Sequence, residues 1–130
     1  MSTPTVLFLC QHNAGRSQLG AALLEILAEG DYVATSAGIS PADAVNPAVA
    51  ETVAELGLDI SARVPRAVTP EDLATADVVV AMKPGLSLPA APAGRFLEWS
   101  FPDPTDWTAD NVRTLREAVS AQITASLLTP

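Results

Sequence analysis

The chain has 130 residues, 48% of them hydrophobic, a length and content suited to one packed domain over residues 1–130. Seven basic residues against 15 acidic ones give a formal net charge of −8 with no basic run, so nucleic acid and anionic membrane surfaces are poor partners. No apolar stretch reaches the ~18 residues of a membrane span, the N-terminus lacks signal-peptide character, and one cysteine cannot form an intrachain disulfide; a cytoplasmic protein is expected.

Residues 5–10, containing Val6, Leu7, Phe8 and Leu9, form a continuous apolar run with β-branched and aromatic members, the pattern of a fully buried strand. A helix follows, with Leu19, Ala22, Leu23, Ile26 and Leu27 at helical spacing, Ser17 as its expected N-cap and Gly30 as its stop. Residues 32–36 read as a short strand closed by Gly38. Asn46-Pro47 starts a second helix whose face is Val49, Val53 and Leu56, ending at Gly57. Thr69-Pro70-Glu71-Asp72 starts a short third helix. Residues 77–82, with Val78, Val79 and Val80, are a second buried strand. Residues 84–94 hold three prolines and two glycines, an exposed loop open to a partner. Residues 95–99 make a fourth strand. From Thr108 onward Val112, Leu115, Val119, Ile123 and Leu127 mark a long C-terminal helix. Strands alternating with helices predict an α/β fold: a four-stranded parallel sheet in three α/β/α layers.

In such sheets ligands bind beyond the C-terminal ends of the strands, where the strand order reverses. Cys10 stands at that end of the first strand. After it come Gln11, His12, Asn13, Ala14 and Gly15, then Arg16 and Ser17 at the start of a helix. A cysteine is mostly thiol at neutral pH, and a helix N-terminus and a neighbouring cation favour its thiolate. Successive loop amides form an anion-binding nest. The Arg16 fork matches two oxygens of a tetrahedral oxyanion. Ser17 is placed to donate its hydroxyl to the sulfur. Gly15 and Asn13 tolerate the positive φ of a tight loop. With a negative overall field, this local site suits a small anion. His12 reads as a solvated or substrate-edge residue. As the only histidine beside the only cysteine, it gives no metal site.

The segment Val6-Leu7-Phe8-Leu9-Cys10-Gln11-His12-Asn13-Ala14-Gly15-Arg16-Ser17-Gln18 resembles the active-site signature of the low-molecular-weight protein tyrosine phosphatase superfamily, and more closely that of its arsenate reductases. Gln18 carries the subdivision, since the phosphatases typically have proline there. Ser36-Ala37-Gly38 and Trp99-Ser100-Phe101-Pro102-Asp103-Pro104 extend the likeness over nearly the whole chain. The resemblance implies a flavodoxin-like strand order, Cys10 as nucleophile, Arg16 with the amides of Gln11 to Ser17 as oxyanion binder, and Asp103 as general acid. Bottom-up, Asp103 between two prolines is equally a turn residue. It can donate a proton near neutrality only where burial raises its pKa.

The chain departs from the thioredoxin-coupled reductases of that family, which carry two further cysteines after the third strand. Here that stretch is Met82-Lys83-Pro84-Gly85-Leu86-Ser87-Leu88-Pro89. The resemblance therefore implies an external low-molecular-weight thiol such as mycothiol as co-substrate, a glutaredoxin- or mycoredoxin-like protein as reductant, and no bound cofactor. The alternative is a phosphatase acting through a phosphocysteine. Thr105 stands where those enzymes usually have tyrosine, although Trp99 and Trp107 are available to line a mouth. A phosphocarrier of the sugar-transport enzyme IIB type needs neither Arg16 nor Asp103. Arg63 and Arg66 either edge the site or solvate a loop, the second being the simpler reading.

Overall fold

The computed structural model describes residues 3–101 and 106–128. Four strands, β1 (Thr5–Cys10), β2 (Val33–Gly38), β3 (Val78–Ala81) and β4 (Arg95–Glu98), form one sheet in the order β2-β1-β3-β4. All three pairings are parallel. The order reverses direction at β1, so its C-terminal end is the switch point, and Cys10 sits there opposite Gly38.

Side chains alternate across β1. Val6, Phe8 and Cys10 face a cluster that also holds Leu19, Leu23, Val49, Val112, Val119 and Ile123. Leu7 and Leu9 face the other way, onto Leu73, Ala76 and Val79. The first cluster joins the sheet to α1 (Arg16–Ala28), α2 (Pro47–Ala54) and α4 (Ala109–Ile123); the second joins it to the six-residue α3 (Pro70–Thr75). Three layers result, as the alternation of strands and helices predicts. Each fully buried Phe or Leu among them contributes roughly 1.5–3 kcal/mol against exposure. No helix among the described residues is long and apolar enough to cross a membrane.

Loop 84–94 is not free for a partner along its whole length. Leu86, Leu88 and Ala90 pack on the second cluster, where α3 alone is too short to cover the sheet. Trp99 is likewise core. It is 8% exposed and meets Phe8 and Phe101 edge-on at 6.3 and 6.2 Å, so it lines no mouth. The second helix ends at Ala54, before Leu56, which is left exposed. The starts of α3 and α4 follow the local chemistry. Thr69 and Asp72 form a reciprocal capping box, and Thr108 accepts from the Asn111 amide. At the far end, the Tyr32 hydroxyl donates to the Leu127 carbonyl at 2.8 Å, fastening the turn of helix that follows α4.

Candidate active site

The loop between β1 and α1 is shaped from outside by the segment that follows β2. The carbonyls of Cys10, Gln11, His12 and Ala14 accept from the amides of Ile39, Ser40, Ala42 and Asn46 at 3.2, 2.7, 2.9 and 2.9 Å. In a trans peptide the N–H opposes the C=O. Turning these carbonyls outward therefore turns the amides of Gln11, His12, Asn13 and Gly15 inward, and none of those amides has an acceptor among the described residues. Together with the open amides of the first turn of α1, they form a concave set of donors suited to an anion.

Helix α1 begins at Arg16, two residues earlier than a Ser17 cap requires. Gly15 is its N-cap residue and no side chain caps it. Ser17 lies inside the first turn instead, fully buried, with Oγ 2.9 Å from Cys10 Sγ. A side-chain cap would occupy an amide that is otherwise open to an anion. Cys10 is 5% exposed, so the sulfur lies at the bottom of the site rather than on its rim.

Asn13 takes the left-handed conformation expected of it, with φ 51°. Its Nδ2 donates to Ser17 Oγ at 2.8 Å. Gly15 does not, for its φ is −115°. The reason for a glycine there is space: a Cβ on Gly15 would lie 2.8 Å from the Trp107 ring. Trp107, 37% exposed, thus leans on the loop and supplies the aromatic edge that Trp99 does not. Gly38 is constrained in the same way, because a Cβ there would lie 2.8 Å from the Asn13 backbone nitrogen. The backbone of the loop after β1 passes directly over the end of β2.

The Arg16 guanidinium is half-buried and donates to the Phe101 carbonyl at 3.5 Å. This brings the last described residue before Asp103 beside the loop. Asp103 itself lies outside the described residues. His12 is exposed and its Nδ1 is 3.0 Å from the Ser40 carbonyl. A carbonyl only accepts, so Nδ1 carries the hydrogen and the ring is tied to the loop's outer wall. Gln11 is half-buried, with Nε2 donating to Ser40 Oγ at 3.3 Å, and Ala14 is half-buried too.

Arg63 and Arg66 do more than solvate a loop. They line a cleft of ≈ 270 Å³ together with Asn13, Gln18, Thr35 and Ser36, and Cys10 is not among its walls. Arg63 pairs with Glu25 at 2.9 Å and Arg66 with Asp72 at 2.8 Å. Burial pushes the Asp72 carboxyl up, but hydrogen bonds from Arg66 and Thr69 outweigh it and hold that carboxyl below its ordinary range. Arg66 also reaches the site through its main chain. Residues 66–68 pair with the end of β2, Gly38 N donating to Arg66 O and Val68 N to Gly38 O, both at 2.9 Å. That pairing delivers the Arg66 amide to Asn13 Oδ1 at 3.0 Å. No local signal announces such a contact across 53 residues.

Residues 5–93 match the family model for low molecular weight phosphotyrosine protein phosphatase. A Halobacterium salinarum protein assigned as an arsenate reductase is 32% identical over 94% of this chain and 89% of its own length. The thioredoxin-dependent arsenate reductase of Corynebacterium glutamicum superposes with a TM-score of 0.79 at 30% identity, over 98% of this chain. This chain spans only 64% of that longer one. An arsenate reductase solved in its phosphate binding state superposes with a TM-score of 0.82 at 26% identity, over 94% of this chain and 95% of the other.

Proposed function

This chain belongs to the low molecular weight phosphotyrosine protein phosphatase family, and from that premise we propose that it is an arsenate reductase working through Cys10 and an external thiol. The observation that carries the reading is the sulfur at the foot of a ring of inward amides, 2.9 Å from a buried serine hydroxyl. The relatives named as arsenate reductases supply the substrate class.

The loop amides and Arg16 hold the oxyanion, positioned for attack by the Cys10 thiolate. A sulfur–arsenic bond forms and one oxygen leaves as water. Asp103, the position matching the family's general acid, donates the proton to that oxygen. Cys10 is the only cysteine in the 130 residues, so no second thiol among them can take over the adduct. A low-molecular-weight thiol of the mycothiol kind does so. A sulfur–sulfur bond forms, arsenic departs as arsenite with two more electrons, and a glutaredoxin- or mycoredoxin-like protein reduces the resulting disulfide.

The second reading, a phosphatase acting through a phosphocysteine, is favoured by one observation: the Trp107 ring against Gly15 offers an aryl group a wall. The two share the first step and differ in whether thiol or water attacks second. One preparation assayed both ways decides between them. Arsenite formation is measured with mycothiol, bacillithiol or glutathione and their redoxins, beside hydrolysis of an aryl phosphate. Arsenite formation with one of the thiols, lost in Cys10→Ser, is expected. Fast hydrolysis with no thiol system supporting reduction would overturn the proposal.

A further inference from the structure

Gln18 is a costly residue where it stands. It is a polar side chain only 3% exposed, on the face of α1 that carries buried Leu19, Ala21 and Ala22. Its Nε2 donates to Asn13 Oδ1 at 3.3 Å. The consequence of that contact follows from the polarity of the groups in line. Asn13 Oδ1 also receives the Arg66 backbone amide, which can only donate. Two donors on one end therefore fix which end of the Asn13 amide is oxygen, and its Nδ2 must face Ser17. An amide NH₂ only donates, so Ser17 Oγ accepts there and its own hydrogen is left for Cys10 Sγ. With Cys10 as the thiolate the sulfur can only accept, and the line then runs one way, from Gln18 and the 66–68 segment to the sulfur. A donor aimed at sulfur favours thiolate over thiol.

We propose that Gln18 is a positioning residue for Cys10: through the Asn13 amide it orients the Ser17 hydroxyl so that this hydroxyl donates to the sulfur. The inference rests on Cys10 being the nucleophile of the proposed reaction. It is independent of whether thiol or water attacks second. Gln18 does the work from the first turn of a rigid helix, whereas Asn13 sits in a loop. It therefore holds Asn13 in register with Ser17 when the oxyanion enters and leaves.

The test is a double-mutant cycle read by alkylation of Cys10 with iodoacetamide, which needs neither arsenate nor a reductant. Gln18→Met keeps the volume and removes the amide. It should slow alkylation at neutral pH roughly three- to tenfold, the scale of one ordinary hydrogen bond, and leave the rate at alkaline pH unchanged. In a Ser17→Ala background the same substitution should do nothing further, since both act through one hydroxyl. Gln18→Glu, isosteric, serves where the methionine variant does not fold; its extra charge is present in both backgrounds and cancels in the cycle. A neutral-pH rate unaffected by either variant would overturn the proposal. So would an effect that persists in full without the Ser17 hydroxyl, or one seen only as lowered thermal stability. Failure of arsenate turnover with the cycle intact would count against the proposed function alone.

Discussion

At the scale of single residues, the site depends on atoms that are missing as much as on those present. Gly38 and Gly15 are places where another group occupies the space of a Cβ. At Gly38 the obstacle is backbone, with Asn13 N at 2.8 Å and His12 C at 3.0 Å, so the loop itself must move to admit a methyl. Gly38→Ala is expected to cost about 1–3 kcal/mol in urea unfolding, the usual scale of overpacking. It should also lower turnover in the material that remains folded, because Asn13 is the displaced residue. Full turnover with unchanged stability would show that the loop tolerates the shift. At Gly15 the obstacle is the Trp107 ring, a side chain able to swing away. Alanine there is expected to act on the aromatic edge more than on stability.

At the scale of elements, the helices were legible in the sequence wherever cap and period agreed. The Thr69–Asp72 box and the Thr108 start both fold as their residues dictate. Ser17 broke the pattern for a physical reason. A serine ahead of an apolar period signals a cap, but this one turns its hydroxyl to sulfur and leaves the first-turn amides open. Helices α2 and α4 are joined by a cluster that sequence periodicity does not show. Glu55, just past α2, accepts from Arg113 Nε at 3.0 Å and from Arg116 Nη1 at 2.9 Å. Hydrogen bonds from Arg113 first and Arg116 second draw its carboxyl from 4.5 down to about 2. A carboxyl lowered by folding stabilises the fold above its unfolded value and loses that contribution as pH falls through the folded one. The pH window is thus from about 4.5 down to about 2. Unfolding midpoints of the wild type should drop more steeply across it than those of Glu55→Gln. Parallel acid limbs would show that the cluster adds nothing to stability in solution. The group is exposed, so a small difference is expected.

At the scale of the whole molecule, the sheet and the place of Cys10 in it were readable because both follow from local patterns: buried strands, capped helices, and a cysteine at the end of the first strand. The supports of the site were not readable. Amides from residues 39–46 shape the loop, and the Arg66 amide orients Asn13. These are backbone groups present in every sequence, and only the parallel crossover brings them together. Gln18 carried a trace in the sequence, a long polar side chain between Ser17 and the apolar run of residues 19–24, but its partner was invisible until the chain was folded.

The proposed reaction rests on a sulfur that shares its cradle with an oxyanion. Rapid-quench alkylation of Cys10 with and without saturating phosphate or arsenate measures that sharing directly, with the intact mass giving the fraction modified. Either anion should protect Cys10 in the wild type, and Arg16→Ala should lift the protection. Alkylation at the same rate with and without the anion would contradict this, for the loop amides would then bind elsewhere than over the sulfur.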